Sequence, residues 1–185
     1  MDNMLVYAAK ERKSFSEVSL NEIDSMIFSQ LAYCNFELLP QVTNLRDLTS
    51  DDEIKTLTQG NLGGKNTEKL IKIMIKNPRF KNVSWYQAVS KVDAKTQMQF
   101  NAVTFYIADG EYYVAYRGTT ATTIGWKENF NMSFRDWVPA HYFARSYYRQ
   151  IKDKFPGKFY IGGHSKGGNL AFAVALGLKE FDLAN

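Results

Sequence analysis

Tyr160-Ile161-Gly162-Gly163-His164-Ser165-Lys166-Gly167-Gly168-Asn169-Leu170-Ala171 is the stretch on which the reading of this 185-residue chain turns. Within it, Gly163 to Gly167 fits G-x-S-x-G, a strand-to-helix turn that holds a serine hydroxyl out over a sheet. The serine backbone in such a turn is strained. Side chains two residues to either side would collide with the neighbouring strand and helix, so only hydrogen fits there. The pattern alone is weak. With 11 serines and 12 glycines in the chain, an accidental match arises roughly once in twenty. The competing reading is a purely structural glycine turn.

The flanks favour the first reading. Lys158-Phe159-Tyr160-Ile161 is a β-prone run directly upstream, set off by Pro156-Gly157. Downstream, Asn169 to Leu178 is rich in Ala and Leu, as a helix packed on a sheet would be. Further upstream, Pro139 suits the first turn of a helix running to about Phe155, with Phe143, Tyr147 and Ile151 on one face. Val83 to Val92 and Met98 to Ile107 read as strands, and Asp109-Gly110 before Tyr112-Tyr113-Val114 is a tight-hairpin signal.

The first eighty residues read as helical. Ser19-x-x-Glu22 predicts a capping box for a helix carrying Ile23, Met26, Ile27, Leu31 and Cys34. Ser50-x-x-Glu53 predicts a second helix ending near Gly60. Asn66 or Thr67 is expected to cap a third, with Leu70, Ile71, Met74 and Ile75, halting before Pro78. The expectation is an α/β chain: a helical subregion over residues 1–80, then a core over residues 81–185 reaching through the serine turn, as one continuous domain.

Composition narrows the function. A hydrophobic fraction of 45% allows a substantial core. The net charge of +4 is mild, and without a basic block interleaved with aromatics a nucleic-acid partner is not expected. The single Cys34 excludes a disulfide framework and a cysteine zinc site, and reads as a small buried hydrophobe. No H-E-x-x-H and no phosphate-binding loop is present, so no metal and no cofactor is expected, and Asn61 to Lys65 reads as a turn. Residues 1–19 carry charges throughout and no span-length apolar run, which makes the cytoplasm the default expectation and a transmembrane segment unexpected.

Acyl transfer through a serine also needs donors for the developing oxyanion. One comes with the turn itself, the backbone N–H of Lys166. The second is expected from Tyr116-Arg117-Gly118-Thr119-Thr120, at the end of the hairpin's second strand. Ala115-Tyr116-Arg117-Gly118-Thr119, a Trp-containing segment, a helix and Gly-His-Ser-x-Gly-Gly together resemble the class 3 (fungal-type) lipases over roughly residues 100–176. From about Ser19 onward the chain is similar to a bacterial family of uncharacterised lipase-like proteins. The marks of that likeness are Arg117 to Thr119, Gly125 to Met132, Val138 to Ala140 and Gly162 to Ala171. The resemblance implies an α/β-hydrolase fold, Ser165 as nucleophile and Thr119 as the oxyanion hydroxyl residue. It also implies a lid over Ala121 to Met132, with Ile124, Trp126 and Phe130 as apolar members. Aromatics packed in the core are the competing reading of that stretch. Lys166 departs from the lipase Leu. Its charge either sits at the site mouth, bearing on substrate or partner, or faces solvent without a role.

A triad needs a base and a group that orients it. After Ser165 come only Glu180 and Asp182, and both histidines precede it. His164 is expected beneath the turn, and His141 on the helix surface, with an unorthodox base as the competing reading of His141. The lipase Asp and His would lie beyond this stretch, so the 185 residues read as the N-terminal portion of a longer hydrolase. The expected function is a poorly active lipase- or esterase-like serine hydrolase taking a small acyl ester or lipid. The alternative is a non-catalytic relative that binds a lipid, an acyl group or a protein partner.

Overall fold

Aromatic and β-branched residues concentrate after Val83, and the strands begin there. The computed structural model describes residues 2–120, 123–132, 134 and 137–182, with backbone alone at Asp2, Ile124, Asn129 and residues 178–182. Strands β1 (Ser84–Asp93), β2 (Met98–Ala108), β3 (Glu111–Tyr116) and β4 (Lys158–Gly163) form one sheet in the order β1-β2-β3-β4. The first three are antiparallel, and β4 runs parallel to β3. Asp109-Gly110 makes the β2–β3 turn, with Gly110 at φ +66°. A bulge between Tyr86 and Val89 bends β1, and the Gln87 carbonyl there accepts from the Tyr147 hydroxyl. Among the described residues, β4 has no strand on its outer side.

Helices α1 (Asp2–Lys10), α2 (Glu22–Leu31), α3 (Asp51–Thr58) and α4 (Gly64–Met74) precede the sheet. α3 starts on the expected capping box, the Ser50 hydroxyl accepting from the Glu53 N–H while Glu53 accepts from the Ser50 N–H. Two expected caps move. α2 is capped by Asn21 with Asp24, not by Ser19 with Glu22, because Asn21 Oδ1 reaches both the Ile23 and Asp24 amides. α4 begins earlier than Asn66, after Gly63 at φ +69°. Thr67 is buried inside it, accepting from Gln30 and donating to the Gly63 carbonyl. After the sheet's hairpin come α5 (Thr123–Asn131) and α6 (Pro139–Lys154), and α7 (Lys166–Asp182) follows β4.

Both faces of the sheet are covered, which makes this a three-layer α/β arrangement. Val103, Phe105 and Ile107 of β2, with Tyr113 and Ala115 of β3, face the layer built on Ile27, Phe28, Leu31, Leu70 and Ile71. Phe100 and Ala102, with Val114 and Tyr116, face Ala144, Tyr147 and Ile151 of α6 and Leu170 and Val174 of α7. The alternation has the period of two that strands impose.

A fully buried ion pair ties the first layer together. Arg79 donates to Asp24 through Nε at 3.0 Å and Nη2 at 2.5 Å. The same guanidinium donates to the Lys13 carbonyl at 2.7 Å and the Val18 carbonyl at 3.1 Å, and stacks 4.0 Å over Phe15. Removing one partner of such a pair leaves a buried charge uncompensated. Arg79→Met is expected to lower the unfolding free energy by about 3–5 kcal/mol in urea titration. A loss below about 1 kcal/mol, the worth of an exposed pair, would contradict that account. Cys34 is buried, and burial pushes its thiol up to about 12. The thiol is expected to resist a disulfide reagent at pH 8 in the folded protein and to react fully once urea unfolds it.

Candidate active site

Parallel pairing of β3 and β4 sets Tyr116 beside Gly163, so both strands end together. The segment after β3 and the turn after β4 therefore share one end of the sheet, where parallel strands place their sites. Ser165 occupies the turn at φ +55° and is exposed. A serine in the left-handed region is uncommon, and the cost of holding it there is on the order of 1–3 kcal/mol.

The glycines explain how the turn closes. A Cβ on Gly163 would lie 2.4 Å from the Gly167 carbonyl carbon and 2.5 Å from the Tyr116 carbonyl oxygen. On Gly167 it would lie 2.0 Å from the same Tyr116 oxygen. These are backbone atoms and cannot swing away, so both positions require glycine. Gly118 faces a similar limit, 2.1 Å from the Tyr33 hydroxyl and 2.6 Å from the His164 carbonyl oxygen.

Thr119 follows Gly118 in the partner segment. Its Oγ1 is buried and has no hydrogen-bond partner among the described residues. The segment is held by Gln99. The Gln99 side-chain amide donates to Thr120 Oγ1, and the Thr120 N–H donates back to Gln99 Oε1 at 3.2 Å. The Arg117 N–H donates to the Asn101 carbonyl at 3.0 Å. Arg117 is itself largely enclosed, and burial lowers its guanidinium from the usual range.

Lys166 corrects both readings of its side chain. It is neither at the mouth nor in solvent but 3% exposed, donating from Nζ to Glu128 Oε2 of α5 and, at 2.5 Å, to the Gln99 carbonyl. Burial pulls its ammonium below the ordinary lysine range, and the hydrogen bond and charge of Glu128 push back. Glu128 Oε2 also accepts the Gln99 N–H at 2.9 Å. The topology explains this arrangement. β3 stops opposite Ala102, so β2 runs on without a β3 neighbour, and the ion pair takes over both backbone groups of Gln99. Gln99 and Glu128 were not foreseen, although Glu128 is the only acid in the aromatic stretch Gly125 to Met132.

The α5 aromatics are also corrected. With Glu128 inward, Trp126 is 62% and Phe130 66% exposed, so neither packs in the core, and Phe134 extends the stripe at 73%. The Ile124 side chain lies outside the described residues.

Both histidines differ from expectation. His164 is exposed rather than packed beneath the turn, and its Nδ1 shares a hydrogen bond of 3.1 Å with the hydroxyl of buried Tyr33. His141 is buried rather than on the surface. Its Nδ1 accepts the Val138 N–H at 3.0 Å, and its Nε2 meets Asn169 Oδ1 at 2.6 Å. The acceptor role of Nδ1 places the ring proton on Nε2. Among the described residues, neither imidazole is paired with a carboxylate. The side chains of Glu180 and Asp182 lie outside the described residues. No metal-binding cluster occurs, and no helix is long and apolar enough to cross a membrane, among the described residues.

No curated protein and no solved structure matches the chain. The Mbeg1-like family model matches residues 74–181, from the end of α4 through the strands and the serine turn into α7. That span is more than half of the sequence, and the chain belongs to the Mbeg1-like family.

Proposed function

We propose that the chain is a serine hydrolase of α/β-hydrolase type that cleaves a carboxylic ester, as a lipase or esterase, with Ser165 as nucleophile. The observation that carries this reading is Ser165 itself, an exposed hydroxyl on a left-handed backbone between a parallel strand and a helix. Ser165 Oγ attacks the acyl carbon, its proton passes to a base, and the alcohol leaves with that proton. Water then hydrolyses the acyl-enzyme and returns the serine. The Lys166 N–H, in the first turn of α7, and Thr119, whose hydroxyl has no partner among the described residues, are the oxyanion donors of this reading.

A triad also needs an acid and a base, and without them Ser165 is weakly activated. Among the described residues both histidines bond to neutral groups rather than to a carboxylate, which favours a second reading as well, a hydrolase-type fold that binds an acyl group, a lipid or a protein partner without turnover. Intact-mass analysis after fluorophosphonate treatment separates the two. The hydrolase reading expects one adduct on the wild type and none on Ser165→Ala, and a wild type that stays unlabelled sinks it.

In this reading α5 is a lid. Its exposed aromatic stripe supports that role. With Trp85 and Trp137 replaced by Phe, Trp126 alone reports on α5. Its emission is expected to shift to shorter wavelength when detergent micelles or an acyl ligand are added. An emission maximum that ignores both would remove the lid.

A further inference from the structure

We propose that Glu128 and Lys166 are positioning residues of the site, setting both candidate oxyanion donors through one strand residue, Gln99. This deepens the hydrolase reading and rests on it. Lys166 carries the elbow donor on its backbone, and its own side chain is fixed to Glu128 and to the Gln99 carbonyl. Thr120, next to the other candidate donor, is fixed through backbone and side chain to the amide of the same Gln99. Gln99 in turn gives its N–H to Glu128. The nucleophile turn, the oxyanion segment and α5 thus meet in one buried cluster.

The cluster is poorly suited to a purely stabilising role. Burying an ion pair costs desolvation that its attraction only partly repays. Glu128 Oε1 is buried with no hydrogen-bond partner among the described residues, which adds to that cost. What the ion pair does supply is geometry. An oxyanion donor works only when it is held in place before charge develops, and an error of about 1 Å at such a site lowers rates by about a hundredfold.

Hydrogen exchange read amide by amide, together with the rate of fluorophosphonate labelling, tests this on the wild type, Glu128→Gln and Lys166→Met. Both variants are expected to speed exchange at Thr120 and Gly167 by more than about tenfold, with Phe28 and Leu31 of α2 unchanged, because donors on both segments loosen together. Labelling of Ser165 is expected to slow by about 10–100-fold, within the range lost with a single oxyanion donor. Glu128→Asp keeps the charge on a shorter arm and is expected to fall between these variants and the wild type. It also serves as the variant of record if the neutral substitutions do not fold. Acceleration confined to Gln99 and α5, with labelling at the wild-type rate, overturns the proposal. A wild type that takes no label sinks the hydrolase reading instead, and the exchange pattern alone then decides whether the pair positions the two segments.

Discussion

The carbonyl oxygen of Tyr116 is the point on which the serine turn closes. Gly163, from the end of β4, and Gly167, from the first turn of α7, both press against it, at distances no side chain could tolerate. Because β3 and β4 are parallel and in register at Tyr116 and Gly163, the chain leaving β4 must reverse within Gly163 to Lys166 to lay α7 back on the sheet. The left-handed Ser165 is the consequence. The segment after β3 is fixed by the same contact, since Gly118 sits against the His164 carbonyl on the far side of the turn. The strain at Ser165 is local. What offsets it is the burial of Leu170, Ala171 and Val174, which the turn delivers to the core formed with Val114 and Tyr116.

A second constraint follows from unequal strand lengths. β2 outruns β3, and exposed backbone at a strand end has to find partners from somewhere. Here a carboxylate and an ammonium supply them. That choice turns α5 over, because a helix of nine residues with Glu128 inward cannot also bury Trp126 and Phe130. The outward aromatics are therefore tied physically to the inward charge.

Features written in single residues or short local patterns were legible in the sequence. Asp109-Gly110, Ser50 with Glu53, Pro139 and the two elbow glycines each act through backbone geometry within a few residues, and the sheet, α3, α6 and the turn lie where those signals put them. The α2 cap shows the limit even at short range. Ser19 and Asn21 both offer an acceptor three residues before an acid, and it is Asn21 whose Oδ1 reaches the first-turn amides, of Ile23 and Asp24. Long-range pairings left no local trace. Nothing near Lys166 indicates a partner 38 residues upstream, and hydropathy assigns Trp126 and Phe130 to a core in which Glu128 takes the inward place. His141 sits one position off the apolar face of α6, yet Val138 and Asn169 satisfy both its nitrogens and let it be buried.

Tyr33 shows why the site cannot be reduced to the family-matched segment. That segment begins at residue 74, while Tyr33 belongs to the turn after α2. Its hydroxyl lies under the site, bonded to His164 and close enough to Gly118 to forbid a side chain there. The ring is almost fully buried, and burial raises its pKa, so the hydroxyl keeps its proton at neutral pH. The position of Tyr33 depends on α2, which the Arg79–Asp24 pair locks against the turn between α4 and β1. That ion pair lies in the layer on the opposite side of the sheet from α7, so the support beneath His164 and Gly118 comes from the N-terminal helices. The helical layer at the N-terminus is in this sense part of the site's scaffold, joined to it through one phenol.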